Sequence, residues 1–103
     1  MLDAAQAIQR FTAGKSEQDL ADDDQLLSAV SWRVIVLGEA ARRINREFRD
    51  AASEIDWKAL LTERNFFAHD YDLMTARDLW RFVQTQVAVV VAVVPGLLSP
   101  LED

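Results

Sequence analysis

Apolar residues recur along this chain at helical spacing. Leu27, Val30, Val34, Leu37, Ala41, Ile44 and Phe48 follow one another at intervals of 3, 4, 3, 4, 3 and 4. That stripe predicts one long helix over about residues 25–49, packed along its whole length. Trp32 and Ile35 lie off the stripe and widen the apolar surface to a second side. Before it, Ala4, Ile8 and Phe11 share a face, which predicts a first helix from about Leu2 to Ala13 with Gly14 as its stop. "SEQD" has the form of a capping box, with Ser16 as cap and Asp19 reaching back, and should open a short helix. Asp22 to Asp24 offer caps for the long helix, and their charges suit its N-terminal dipole.

Asp56 is placed to cap a third helix, "WKALLTERNFFAHD", with Trp57, Leu60, Leu61, Phe67 and Ala68 on its buried side. A loop is expected at "YDLM". Thr75 and Asp78 form another box that opens a fourth helix, lined by Leu79, Phe82, Val83, Val87, Val90 and Val94. Pro95-Gly96 is expected to end it, with the tail "LLSPLED" draping back through Leu97 and Leu98. These elements predict an all-α, up-down four-helix bundle with an extra short helix, in one domain over residues 1–103.

Composition narrows the function classes. Half of the 103 residues are hydrophobic and Pro plus Gly total five, so the chain can bury a core. Cysteine is absent, which excludes disulfides, thiolate metal sites and a cysteine nucleophile, and suits a reducing cytoplasm. "MLDAAQAIQR" lacks the order of a signal peptide. The run "VAVVVAVV" is far shorter than the roughly 20 residues of a membrane span, so a buried helix end, and no membrane, is expected. Net charge is −6, yet it is uneven. Residues 16–24 carry five acids and no base, whereas residues 33–49 carry five arginines against Glu39 and Glu47. Solvated helix faces account for such a pattern without further function. Four of the five, Arg42, Arg43, Arg46 and Arg49, fall in the last eight residues of that stretch.

The chemistry concentrates in "ERNFFAHDYD", residues 63–72. His69 is the only histidine, and Arg64, Asn65 and Tyr71 lie within six residues of it. On a helix Asn65 and His69, four apart, share a face. Arginine binds phosphate bidentately and stays charged, histidine exchanges a proton near neutrality, and tyrosine donates a hydrogen bond or stacks. With no thiol and one imidazole, metal-free phosphate chemistry is the simplest reading. RNA cleavage by 2′-OH attack fits it. That reaction needs a base and an acid, and each chain supplies one histidine. A two-fold homodimer pooling two His69 side chains meets the need, with Trp32, Ile35 and Trp80 as candidates for its apolar face. The plainer alternative is a histidine that caps a helix end, with Arg64 paired to Glu63 or Asp70.

"RNFFAHDY" is similar to the R-x4-6-H-x-Y signature of HEPN-fold proteins of the HepT-like group. The likeness extends to "GEAA", Gly38 to Ala41, and to "IDWKALLTERNFFAHDYD", so it covers nearly the full chain. The resemblance implies a dimeric all-α RNase toxin, paired with an MntA-like nucleotidyltransferase antitoxin in a type VII (HEPN/MNT) toxin–antitoxin system. It needs no metal or cofactor and acts on RNA such as tRNA or mRNA. Carried over, Arg64 and His69 are the catalytic pair, Asn65 and Glu39 support them, and Tyr71 is the tyrosine the antitoxin adenylylates. The resemblance also gives Arg42, Arg43, Arg46 and Arg49 a use in holding RNA backbone or an acidic partner. Where the family commonly has a small residue between His and Tyr, this chain has Asp70, an unhelpful charge beside RNA. A non-catalytic subunit that partners a nucleotidyltransferase is the alternative, and net charge −6 leans toward it.

Overall fold

The computed structural model describes residues 1–62 and 76–102, with side chains to Leu97. Every regular element among them is helical. In chain order these are α1 (Leu2–Thr12), α2 (Glu17–Asp22), α3 (Asp24–Arg42) and α4 (Arg46–Ala51). The start of α5 follows (57–62), then α6 (Ala76–Phe82), a π-helical segment (Val83–Val87) and α7 (Ala88–Glu102). The last three form one continuous rod. The fold is all-α, as the apolar periodicity predicts.

The N-terminal half is punctuated by side chains. Thr12 donates its hydroxyl to the Ile8 carbonyl at 2.9 Å, and Gly14, at φ +72, turns the chain out of α1. The capping box is complete: Asp19 N–H donates to Ser16 Oγ at 3.1 Å, and Ser16 N–H donates to Asp19 Oδ2 at 2.9 Å. Asp23 caps α3 by accepting from Leu26 N–H at 3.0 Å. Gln18 donates to Asp22 Oδ1 at 3.0 Å. The acidic run is therefore helix punctuation, with its charges set against N-terminal dipoles.

Packing follows the apolar stripes. α1 lies against α3, α7 and the π segment, while α2 lies against α3 and α6. Ile8, Leu20, Val30, Val34, Leu37, Ala41, Leu60, Leu79, Val87 and Val90 have no exposed surface. Each buried Leu, Ile or Val adds roughly 1.5–3 kcal/mol relative to leaving it in water. All six residues assigned to the fourth helix's apolar face, Leu79, Phe82, Val83, Val87, Val90 and Val94, are buried. Leu61 and Trp57 are half-buried, whereas the expected burial of Phe67 and Ala68, the "YDLM" loop and the Thr75 cap lie outside the described residues.

Three expectations need correction. The stripe of residues 25–49 is two helices, because α3 stops at Arg42 and α4 starts at Arg46. Asn45 makes the break: its side chain accepts from Phe48 N–H at 2.8 Å, so a local cap competes successfully with the helix. Ile44 and Phe48 still pack beside the core, or at its edge, which explains why the periodicity runs through the break.

Pro95-Gly96 does not end the last helix, which continues to Glu102, and the tail does not drape back as a loop. A proline removes one N–H donor, and Val94 and Leu97 on either side stay packed on the core. The apolar stretch is also longer than its eight-residue valine run. Ala76–Leu97 is a continuous 22-residue helix, long and apolar enough to cross a membrane by length and composition. Its buried face is the central wall of the helical core.

Candidate RNA-facing surface and catalytic motif

Asp56 opens α5. Its Oδ1 accepts from Ala59 N–H at 2.9 Å, and its carbonyl accepts from Leu60 N–H at 3.2 Å. Leu60 anchors the helix in the core with no exposed surface. The chain then enters the motif. Arg64, Asn65, His69 and Tyr71 lie outside the described residues, so the site is approached from α3, α4 and the start of α5.

Glu39 and the four arginines are described. Glu39, on the outward side of α3, is half-buried and pairs with Arg42 at 3.3 Å. Both groups are partly solvated, so this i,i+3 pair adds at most a few tenths of a kcal/mol. Arg43 is exposed at the C-cap of α3. Arg46 is exposed, and its Nε stands 4.0 Å from Asp50 Oδ2, too long for a hydrogen bond. Arg42, Arg43 and Arg46 thus gather at the C-terminal end of α3 and the first turn of α4. Arg33, the fifth arginine of the basic stretch, lies over the Phe11 ring at 5.9 Å, away from that group.

Arg49 is different. One of its terminal nitrogens (Nη2) donates to the Ala41 carbonyl at 2.8 Å, which also accepts from Ile44 N–H at 3.2 Å, and to the Arg42 carbonyl at 3.3 Å, both at the end of α3. Its guanidinium carbon lies 5.6 Å from the centre of the Trp57 ring. Its Nε is buried, without a hydrogen-bond partner among the described residues. Trp57 in turn donates its indole N–H to the Ala52 carbonyl at 3.2 Å and meets Phe48 edge-on, with ring centroids 6.5 Å apart. The sequence reading placed Arg49 with the RNA-facing arginines and Trp57 in the core. It missed that the two touch, because nothing in an eight-residue separation across a helix break signals it.

Trp32 is 61% exposed, while Ile35 and Trp80 are half-buried and pack on the core. Of the three candidates for the predicted apolar face, Trp32 is the one that stands exposed. Among the described residues no group of three His, Cys, Asp or Glu is arranged to hold a metal ion.

Comparison with known proteins gives the chain its relatives. A protein of Methanocaldococcus jannaschii named "Putative RNase MJ1380" is 28% identical over 87 residues, 84% of this chain and 80% of that protein. "Probable ribonuclease HepT" of Thermococcus cleftensis is 27% identical over 85 residues, 82% of this chain and 77% of that one. A longer M. jannaschii protein, "Gamma-glutamylcyclotransferase and putative RNase MJ0434", is 26% identical over 87 residues, 84% of this chain but 39% of its own length. No solved structure matches the chain. The family model described as ribonuclease HepT-like matches residues 1–95, a span that contains α1 to α6, the Arg-x4-His-x-Tyr motif and most of the last helix, and the chain belongs to that family.

Proposed function

We propose that this protein is a metal-independent endoribonuclease, the toxin of a type VII (HEPN/MNT) toxin–antitoxin system, acting in the cytoplasm as a homodimer of one-domain chains. One observation carries the reading: the family match spans residues 1–95, and within it Arg64, His69 and Tyr71 stand intact at their motif spacing. The names of two relatives, "Putative RNase MJ1380" and "Probable ribonuclease HepT", point the same way.

In the proposed reaction one imidazole takes the proton of a ribose 2′-OH. The 2′-oxygen bonds to the adjacent phosphorus, the bond from phosphorus to the 5′-oxygen breaks, and the second protomer's imidazolium protonates the leaving oxygen. Arg64 steadies the charge of the phosphorane. Asn65 orients phosphate or imidazole, and Glu39 supports the pair from α3. Products carry a 2′,3′-cyclic phosphate and a 5′-hydroxyl. The exposed Arg42, Arg43 and Arg46 offer a cationic strip for RNA backbone on a chain of net charge −6. Exposed Trp32 is the apolar centre proposed for the dimer face.

Control follows from Tyr71. Transfer of AMP from ATP to its hydroxyl, with release of pyrophosphate, by an MntA-like nucleotidyltransferase would place bulky negative charge two residues from His69 and repel RNA phosphate. A second reading, a non-catalytic partner subunit of such a nucleotidyltransferase, is favoured by the net charge and by Asp70 within the motif. Incubation with the nucleotidyltransferase and ATP, followed by mass spectrometry of the Tyr71 peptide, tests the modification: the mass of one AMP is expected, and its absence contradicts that part of the reading. Sedimentation at micromolar concentration tests the dimer, which a stable monomer would contradict.

A further inference from the structure

We infer that Arg49 is a positioning residue, which rivets the C-terminal turn of α3 to the first turn of α5, seven residues before Arg64 in the chain. The inference rests on the nuclease reading for its effect on RNA, and on the geometry alone for the rivet.

Arg49 sits on α4 between the two elements it joins. Toward α3 it fills the carbonyls of Ala41 and Arg42 at 2.8 and 3.3 Å, where the helix dipole also favours a cation. Toward α5 the same guanidinium lies over the face of Trp57 at 5.6 Å. Only arginine combines a planar stacking face with several donors in a rigid fork; a lysine offers a point charge. Trp57 cannot drift, because its N–H is held by the Ala52 carbonyl and its ring edge by Phe48. The buried Nε and half-buried side chain show a group withdrawn from solvent, unlike Arg43 and Arg46. Two stretches that matter to the proposed site therefore meet in one contact: the end of α3, with Glu39 and the exposed arginines, and the first residue of the helix that leads into the motif. Arg64 is seven residues beyond Trp57. A shift of one ångström at reacting groups is enough to slow a positioned reaction about 100-fold.

The experiment compares wild type, Arg49→Ala, Arg49→Lys and Arg43→Ala. It reads steady-state RNA cleavage, the salt dependence of RNA binding, and hydrogen exchange at the Ala59 and Leu60 amides. For Arg49→Ala the expected result is a fall in kcat of about 10- to 100-fold with KM within about twofold. Its salt slope is unchanged and its α5 amides exchange faster. Arg49→Lys keeps the charge and the fold, and recovers only part of the rate. Arg43→Ala instead lowers the salt slope by about 0.7–0.9, as loss of one phosphate contact requires. Should Arg49→Ala raise KM and lower the slope by a similar amount, Arg49 is an RNA contact and the inference is overturned. Wild-type rate and wild-type exchange in Arg49→Ala overturn it as well, with the nuclease reading intact. If wild type cuts no RNA while Arg49→Ala and Arg49→Lys still loosen α5, the nuclease reading falls and the rivet stands. Should Arg49→Ala fail to fold, the rate and exchange of Arg49→Lys decide.

Discussion

Two helix ends behave in opposite ways. Residues 43–45 contain neither proline nor glycine, and the helix stops there; residues 95–96 are Pro-Gly, and the helix runs on to Glu102. The difference lies in what each end offers the backbone instead. At the first, Asn45 supplies a cap for α4 at 2.8 Å, Ile44 N–H closes the last turn on the Ala41 carbonyl at 3.2 Å, and Arg49 adds a donor to the Ala41 and Arg42 carbonyls. Leaving the helix there strands little. At the second, Val94 and Leu97 are held against the core on either side of the proline. Staying helical costs one hydrogen bond and keeps that packing. A helix ends where its backbone groups find other partners, and a breaker residue alone does not decide it.

Stability measurements by urea unfolding can break or sharpen this contrast. The largest effects are expected where the two rods are alike. Leu37→Ala in α3 and Leu79→Ala in α6 each remove a fully buried side chain and should cost about 2–5 kcal/mol apiece. A cost under 1 kcal/mol for either would mean that its rod is not anchored as described. Next comes Asn45→Ala, which should cost about 1 kcal/mol through loss of the cap. A neutral or stabilising result would show that the break at residues 43–45 does not depend on Asn45. The smallest effect belongs to Pro95→Ala. It restores a donor to a helix that already continues; near a fraying helix end most of the roughly 3 kcal/mol that an interior proline costs is lost, so stability should rise by less than about 1 kcal/mol. A clear loss would show that Pro95 holds the helix end through its own packing.

The same contrast explains what could be read from residues alone. Periodicity identified the buried faces, because burial and 3.6-residue spacing are one physical fact, and Leu79 to Val94 bear it out. Side-chain caps were legible where the donor and acceptor are three residues apart, as at Ser16–Asp19 and Asp56–Ala59. The heptad stripe through Ile44 and Phe48 hid a break, since a turn that keeps its apolar residues on the core leaves the pattern whole. Contacts between helices left no local trace. Arg49 read as one more basic residue in a stripe, and only the fold puts it over Trp57. At the candidate site, Glu39 and the exposed arginines fall on one end of α3 and α4. Arg64, Asn65, His69 and Tyr71 remain a reading of the motif, carried by spacing, residue chemistry and family membership.

RNA cleavage by purified protein in EDTA, wild type against His69→Ala, is the most direct test of that reading. The account predicts that wild type cuts RNA to 2′,3′-cyclic phosphate and 5′-hydroxyl ends, and that His69→Ala loses at least about 100-fold in rate. Equal cleavage by both proteins, or none by either, would contradict it.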